Sequence, residues 1–388
     1  MQATIRLKLT LDKEMSEVLS QTIEQYTWAF NDVSSYGWQN NIKNGVKLHD
    51  ATYYHHRNVT NLPSQLVCSA RVKAAEAIKS AMALKRKKKK VSVPSSKRCA
   101  IRYDARSYTV WWNENRLSLV TVKGRVKFLF EIADYYQQYL DWKTTSADLF
   151  RDRHGRWWLH IVKQTESPVF TATGEVIGID LGEINPATDN RGKFYGNPEW
   201  KKIEDKTFEL RRRLQSKGTK SAKRHLKKIS GRQKRFRRDC DHVLSKRLVQ
   251  SVNSGAIIVF EDLTDIRGNA KKRKAQRRRF HGWSFKQFQN FVTYKAKRKG
   301  VLVDYVDPRY TSQKCSSCGH ISRSNRPSQA VFKCRKCSYS NHADINASLN
   351  IRSDYLKQWA ASGGLKARSK FASHALVNQP TVATGFLS

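Results

Sequence analysis

Two cysteine pairs, Cys315-x2-Cys318 and Cys334-x2-Cys337, constrain this chain more than any other feature. Each pair can form a knuckle, and the fifteen residues between the pairs let four thiolates close around one tetrahedral Zn²⁺. Disulfides would need an oxidising compartment, and four scattered core cysteines would not fall into two knuckles. No histidine enters the ligand set, so four sulfurs fill the shell and leave no open position for catalysis. The zinc is therefore expected to be structural, holding a small ribbon together. Cys68, Cys99 and Cys240 are left over and read as reduced core or surface residues of an intracellular protein. Chemistry has to come from elsewhere. Asp344, seven residues beyond the last cysteine, is the first candidate.

A net charge of +42 on 388 residues says what such a chain meets. That surface attracts polyanions at long range, while 39% hydrophobic and 11% aromatic residues mark a folded protein and not a basic tail. Nucleic acid is the natural partner, over a long footprint or as two ligands. No apolar run approaches the ~20 residues of a membrane span. The first residues alternate instead, Ile5, Leu7 and Leu9 against Arg6 and Lys8, as a half-buried strand does.

Residues 11–90 read as helical in two segments. The clearer one follows Asn61-Leu62-Pro63-Ser64, carries Leu66, Ala70, Ala74, Ile78 and Met82, and ends in six consecutive cations, 85–90. Short strands with Gly or Asn turns follow: Tyr108–Trp112 with Leu117–Val120 as a hairpin, then Val126–Phe130 and Trp157–Val162. With the first strand they suggest a small barrel into which the helices are inserted, its paired tryptophans serving mainly as packing. After Pro168 a second pattern begins, with buried-strand runs Val176–Ile179, Ala256–Phe260 and Val301–Val306. Between the first two, residues 211–238 hold fourteen Lys or Arg and no acid, a helical stretch suited to a phosphate backbone. A second basic run, 271–279, reads as a loop. A helix starts near His342 and carries Ile345, Leu349 and Tyr355 to a small-residue tail, 372–388, expected to be disordered.

Three acids stand out together: Asp180 after one strand, Glu261 after another, Asp344 in the first turn of the last helix. Each alone has a dull explanation, since acids commonly end strands and favour helix N-termini. Brought together they would repel one another and titrate high unless divalent cations neutralised them. Hard oxygen donors suit Mg²⁺ or Mn²⁺, which bind substrate phosphate and support phosphodiester hydrolysis.

Gly178-Ile179-Asp180-Leu181-Gly182, Val259-Phe260-Glu261-Asp262-Leu263, the two knuckles with their leader Tyr310–Lys314, and Asp344-Ile345-Asn346-Ala347-Ser348 through Ile351 resemble the RuvC-type motifs and zinc ribbon of TnpB. These are insertion-sequence proteins regarded as relatives of type V CRISPR effectors. The motifs cover about 170–355, and the N-terminal half matches only in layout.

The resemblance implies an α+β multidomain protein. An N-terminal β-barrel or wedge (1–10 and 91–168) with a helical recognition insertion (11–90) would precede an RNase H-like RuvC domain (169–309 and 341–371) holding the inserted zinc ribbon (310–340). It maps the catalytic, Mg²⁺-binding acids onto Asp180, Glu261 and Asp344, and implies RNA-guided cleavage of double-stranded DNA beside a short flanking motif. The guide would come from the transposon end, with one protein per guide RNA and no membrane, in the bacterial cytoplasm at the nucleoid. The basic loop after Glu261 would be a lid over the acids. Three rivals stand beside this: a guided DNA binder that does not cut, a transposase acting by strand transfer, and a non-enzymatic zinc-ribbon RNA binder. The first should lack the acids, the second should carry a DNA-reading module, and the third makes Asp180 and Glu261 accidental.

Overall fold

The computed structural model describes residues 1–264, 266, 280 and 284–361. The basic run 271–279, expected as a lid, and the tail 372–388 lie outside the described residues. The chain divides into two compact units, Met1–Glu166 and Ser167–Ser388.

The first unit is built on seven antiparallel strands: β1 Gln2–Thr10, β2 Ile101–Tyr103, β3 Tyr108–Trp111, β4 Arg116–Thr121, β5 Gly124–Ile132, β6 Lys143–Arg151 and β7 Trp157–Gln164. Their order is β2-β6-β7-β1-β5-β4-β3, so the two edge strands are consecutive in sequence. Asp104-Ala105-Arg106-Ser107 joins them in a turn tied by the Asp104 carboxylate to the N–H groups of Arg106 (3.1 Å) and Ser107 (3.0 Å). Four residues reach at most about 14 Å, so the sheet must curl until its edges meet. The Tyr103 hydroxyl of β2 donates to the Val120 carbonyl of β4 at 3.1 Å, linking the two ends of this near-complete barrel. The alternation read in the first ten residues places Ile5, Leu7 and Leu9 inside, with β1 central between β7 and β5.

Helices α1 Lys13–Gln39, α2 Gly45–Val59 and α3 Ser64–Arg86 lie between β1 and β2, three where the sequence suggested two segments. The extra break sits where Asn44 caps α2, accepting from the N–H groups of Val46 (2.8 Å) and Lys47 (3.3 Å). Helix α2 buries only Leu48, Thr52 and His56, too few apolar positions to show a stripe. His56 is instead held by Asp32 at 3.0 Å.

In the second unit, β8 Val176–Asp180, β9 Thr188–Asp189, β10 Ile257–Glu261 and β11 Leu302–Val306 form a sheet in the order β11-β10-β8-β9. Strands β8, β10 and β11 are parallel and β9 runs against them. Parallel strands covered on both faces read as continuous apolar runs, and these do. On one face Ile177, Ile179, Ile258 and Phe260 pack with α6 (Arg232–Gln250) and α7 (Phe285–Arg298). On the other, Val176, Ile257 and Val259 meet Ile351 and Tyr355 of α8 (Ala343–Ala361). Two further helices, α4 Pro198–Lys217 and α5 Lys220–Ile229, precede α6, and α4 buries no residue at all. The cations of 211–238 thus ride on α4 and α5, which bury little, and on the first two turns of α6, ahead of its buried residues Cys240 to Val249.

The α8 interface corrects one expectation. Of the three apolar residues read along this helix, Tyr355 is buried but Ile345 and Leu349 are only half-buried, whereas Asp344, Asn346, Ser348 and Asn350 are buried. The cause is close backbone packing: a Cβ on Gly178 of β8 would lie 2.3 Å from the Ser348 carbonyl oxygen and 2.7 Å from the Arg352 nitrogen. Small and polar side chains occupy such a contact, and bulky ones are turned out of it.

Candidate active site and zinc centre

Strand register brings the first two acids together. Phe260 pairs with Ile179, so Glu261 and Asp180 follow side by side at the carboxyl ends of adjacent parallel strands. Ligand crevices of α/β sheets open at such ends. Alternation points both acids to the face that carries Val176 and Val259, which is the face covered by α8. Asp344 stands in the first turn of that helix and is 9% exposed.

All three sequence-nominated acids therefore converge, and the electrostatics reflect it. Burial, then the neighbouring Glu261 and Asp344 carboxylates, push the Asp180 carboxyl well above its ordinary range, and Arg326 offsets this only in part. Burial also raises Glu261, against a hydrogen bond from Thr311. Asp262, beside Glu261, turns away and accepts from the Thr264 N–H at 3.1 Å.

Four side chains that the sequence reading did not nominate hold the acids in place. Asn185 Nδ2 donates to Asp344 Oδ2 at 2.8 Å, and Arg326 approaches Asp344 Oδ1 at 3.5 Å. His342 Nδ1 accepts from the Asp344 N–H at 3.2 Å, while the Thr311 hydroxyl donates to Glu261 Oε1. Asn185 reaches back because Gly182 permits a tight turn, with its N–H on the Asn185 carbonyl at 3.1 Å and no Cβ to strike that carbonyl. Thr311 had one visible signal, its place in the Tyr310–Lys314 leader. Arg326 had none, because a loop inside the ribbon delivers it. Asn325, fully buried, pins that loop by donating to the Gln313 (2.9 Å) and His320 (3.1 Å) carbonyls.

The four nominated cysteines also converge. The sulfurs of Cys315, Cys318, Cys334 and Cys337 all lie within 4.8 Å of one another, with Cys315–Cys337 at 3.7 Å and Cys318–Cys334 at 3.6 Å. A tetrahedron of sulfurs about 2.3 Å from zinc has edges of about 3.8 Å, so the cage fits a structural zinc, and the separations are far too long for disulfides. Backbone N–H groups of Lys336 and Cys337 point at the Cys334 sulfur, as a thiolate requires. The ribbon hairpin, β12 Val331–Lys333 with β13 Ser340–His342, runs into α8 with no intervening residue. Asn346 of α8 donates to the Lys314 carbonyl (2.8 Å) and accepts from the Ser316 N–H (3.0 Å). Asn350 donates to the Thr311 (2.9 Å) and Lys314 (2.6 Å) carbonyls. Zinc ribbon and third acid are one mechanical piece.

Residues 160–266, which include Asp180 and Glu261, match the OrfB_IS605 family model, described as a probable transposase. Residues 285–351, with the four cysteines and Asp344, match the Cas12f1-like TNB domain. The TnpB-like protein MJ0751 of Methanocaldococcus jannaschii is 37% identical over 148 residues, 38% of this chain and 52% of that protein. Residues 160–351 thus resemble the TnpB family. Related to it is the CRISPR-associated endodeoxyribonuclease Cas12f1 of Sulfoacidibacillus thermotolerans, 31% identical over 257 residues, 60% of this chain and 58% of that protein. The chain spans about half the length of the curated relatives it matches. Its fold is similar to that of Cas12f1 in a Cas12f1–sgRNA–target DNA complex, with a TM-score of 0.65 at 17% identity over 88% of this chain and 83% of that one. Among the described residues no helix is long and apolar enough to cross a membrane.

Proposed function

We propose that this protein is a transposon-associated, RNA-guided DNA endonuclease that hydrolyses phosphodiesters of double-stranded target DNA beside a short flanking motif. The observation that carries the reading is the convergence of Asp180, Glu261 and Asp344, where burial and then mutual repulsion raise Asp180. An all-oxygen donor set that repels itself fits hard divalent cations such as Mg²⁺ or Mn²⁺. Asp180, Glu261 and Asp344 are the residues that would hold them. Bound there, such cations supply charge neutralisation at the scissile phosphate and a nucleophile at neutral pH.

The chain's own groups set the geometry. Thr311 engages one Glu261 oxygen, Oε1. Asn185 and Arg326 take opposite oxygens of Asp344, fixing its carboxylate plane. Retention of all three acids speaks against a guided binder that has lost cutting. Pairing with the guide would read sequence, and the protein would hold the heteroduplex by shape and backbone. Exposed cations on α4, α5 and α6 suit that contact. We take the barrel (1–10 and 91–168) as the wedge, the insertion 11–90 as the recognition lobe and 310–340 as the ribbon inside the nuclease domain, with one protein per guide RNA.

Expression in a bacterial cell, followed by sequencing of the co-purified nucleic acid, should return one abundant structured RNA. With that RNA and Mg²⁺ the protein should cut matched DNA, and Asp180→Ala should abolish cutting while guided binding persists. Undiminished cutting by Asp180→Ala, or a heterogeneous smear in place of one RNA, contradicts the assignment.

A further inference from the structure

Phe194 is exposed at 42%, and its ring meets that of His342 edge-on, with centroids 4.9 Å apart. His342 Nδ1 lies 4.0 Å from Asp344 Oδ2. A partly exposed aromatic ring thus stands one ring away from Asp344. A single exposed Phe is ordinary, but this one is held on a rigid mount. Asp189, with no exposure, accepts from the N–H groups of Arg191 (3.0 Å) and Lys193 (2.9 Å), from the Arg191 guanidinium (2.9 Å) and from the Tyr195 hydroxyl (2.9 Å). A backbone bridge pairs Phe194 with Thr188 across the same turn.

Beside the ring an open concavity of about 390 Å³ is lined by Lys193, Tyr195, Arg247 and Gln250. Lys193 and Arg247 are exposed cations and Gln250 is an exposed amide. Stacking face, cations and amide together match the three parts of an unstacked nucleotide: base, phosphate and base edge. Duplex bases already stack on one another, so the fitting occupant is single-stranded.

We propose that Phe194 is a stacking platform for one base of single-stranded DNA entering the acid centre, with Lys193 and Arg247 holding the adjoining phosphates. The subsite positions the strand and takes no part in bond making. As a subsite of the cleavage centre it rests on the nuclease reading, but its stacking can be measured without cleavage.

A chain of +42 net charge binds any oligonucleotide, so total binding is a poor readout. The full-length protein is mixed with an oligothymidine carrying one 2-aminopurine, with Ca²⁺ in place of Mg²⁺, and the fluorescence is followed. Stacking on Phe194 should quench the probe. Phe194→Ala and Phe194→Leu should lose the quench and weaken the stacked complex at least about fivefold, from the energy of one base on one ring. Phe194→Trp should restore both. Equal quenching by wild type, Phe194→Ala and Phe194→Leu overturns the subsite, whatever the nuclease assay returns. A wild type that quenches through Phe194 yet never cuts guided DNA keeps the subsite and removes the nuclease reading. If guided cutting occurs, Phe194→Ala should raise KM more than it lowers kcat, and an unchanged KM counts against the platform.

Discussion

Gly178→Ala tests whether the acids work through a fixed distance. The added methyl carbon would sit 2.3 Å from the Ser348 carbonyl oxygen and 2.7 Å from the Arg352 nitrogen, both backbone atoms of α8 that cannot swing aside. Ordinary contact begins near 3.4 Å, so helix and strand must part by about 1 Å. Overpacking of this kind costs about 1–3 kcal/mol, which the unit should survive folded. Asp344 begins the same helix and Asp180 ends the same strand, so the gap between them widens by a similar amount. A misplacement of about 1 Å in a reacting centre can cost roughly a hundredfold in rate. Single-turnover cleavage with saturating guide and Mg²⁺ should therefore fall about a hundredfold, while the thermal midpoint drops by only a few degrees. Wild-type cleavage by a folded Gly178→Ala protein would refute the reasoning, because it would mean that the helix-to-strand distance does not set the chemistry.

Asp180→Asn should stabilise the metal-free protein as it abolishes cutting. The folded-state titration of Asp180 lies above its unfolded value, so its favourable contribution is complete at low pH and is lost as pH rises through the folded value. The gain from Asn, of order 1 kcal/mol, should appear at neutral pH and shrink as pH falls, and equal melting of both proteins at pH 7 without metal would contradict it. Zinc removal by a chelator, or Cys315→Ser, should unfold the ribbon and fray the start of α8, costing cleavage about a hundredfold or more. Hydrogen exchange across 310–350 reads the change, and full activity without zinc would refute it. Thr311→Val leaves Glu261 without its hydroxyl donor and should slow cleavage about tenfold at unchanged guided binding, as loss of a hydrogen bond to a charged group predicts. An unchanged rate would show that Glu261 is oriented by other means.

The sheets and the acids were legible because they obey short-range rules. Continuous apolar runs 176–179, 256–260 and 301–306 became β8, β10 and β11, and alternation in the first ten residues became β1. What escaped depends on tertiary contact. Strand β6 has a mixed sequence, Lys143-Thr144-Thr145-Ser146-Ala147, whose β character comes from pairing along β7. Helix α2 buries only Leu48, Thr52 and His56, a stripe with a single aliphatic member and too thin to read from sequence. The buried polar face of α8 depends on the Lys314 and Thr311 carbonyls, which accept from Asn346 and Asn350 across the fold. Arg326 and Asn185 could not be picked out, since nothing in a linear pattern marks a loop residue that returns to a distant carboxylate.

Strand β1 carries a cost that falls on the ribosome. It is made before its neighbours, yet its partners on either side, β5 and β7, end at Ile132 and Gln164. At about 5–20 residues per second, the Ile5-Leu7-Leu9 face waits on the order of ten to thirty seconds for β7. During that interval the α1–α3 segment is the first apolar material to emerge that could shield it. The inserted helices would then serve the nascent chain as a temporary cover before they serve the finished protein.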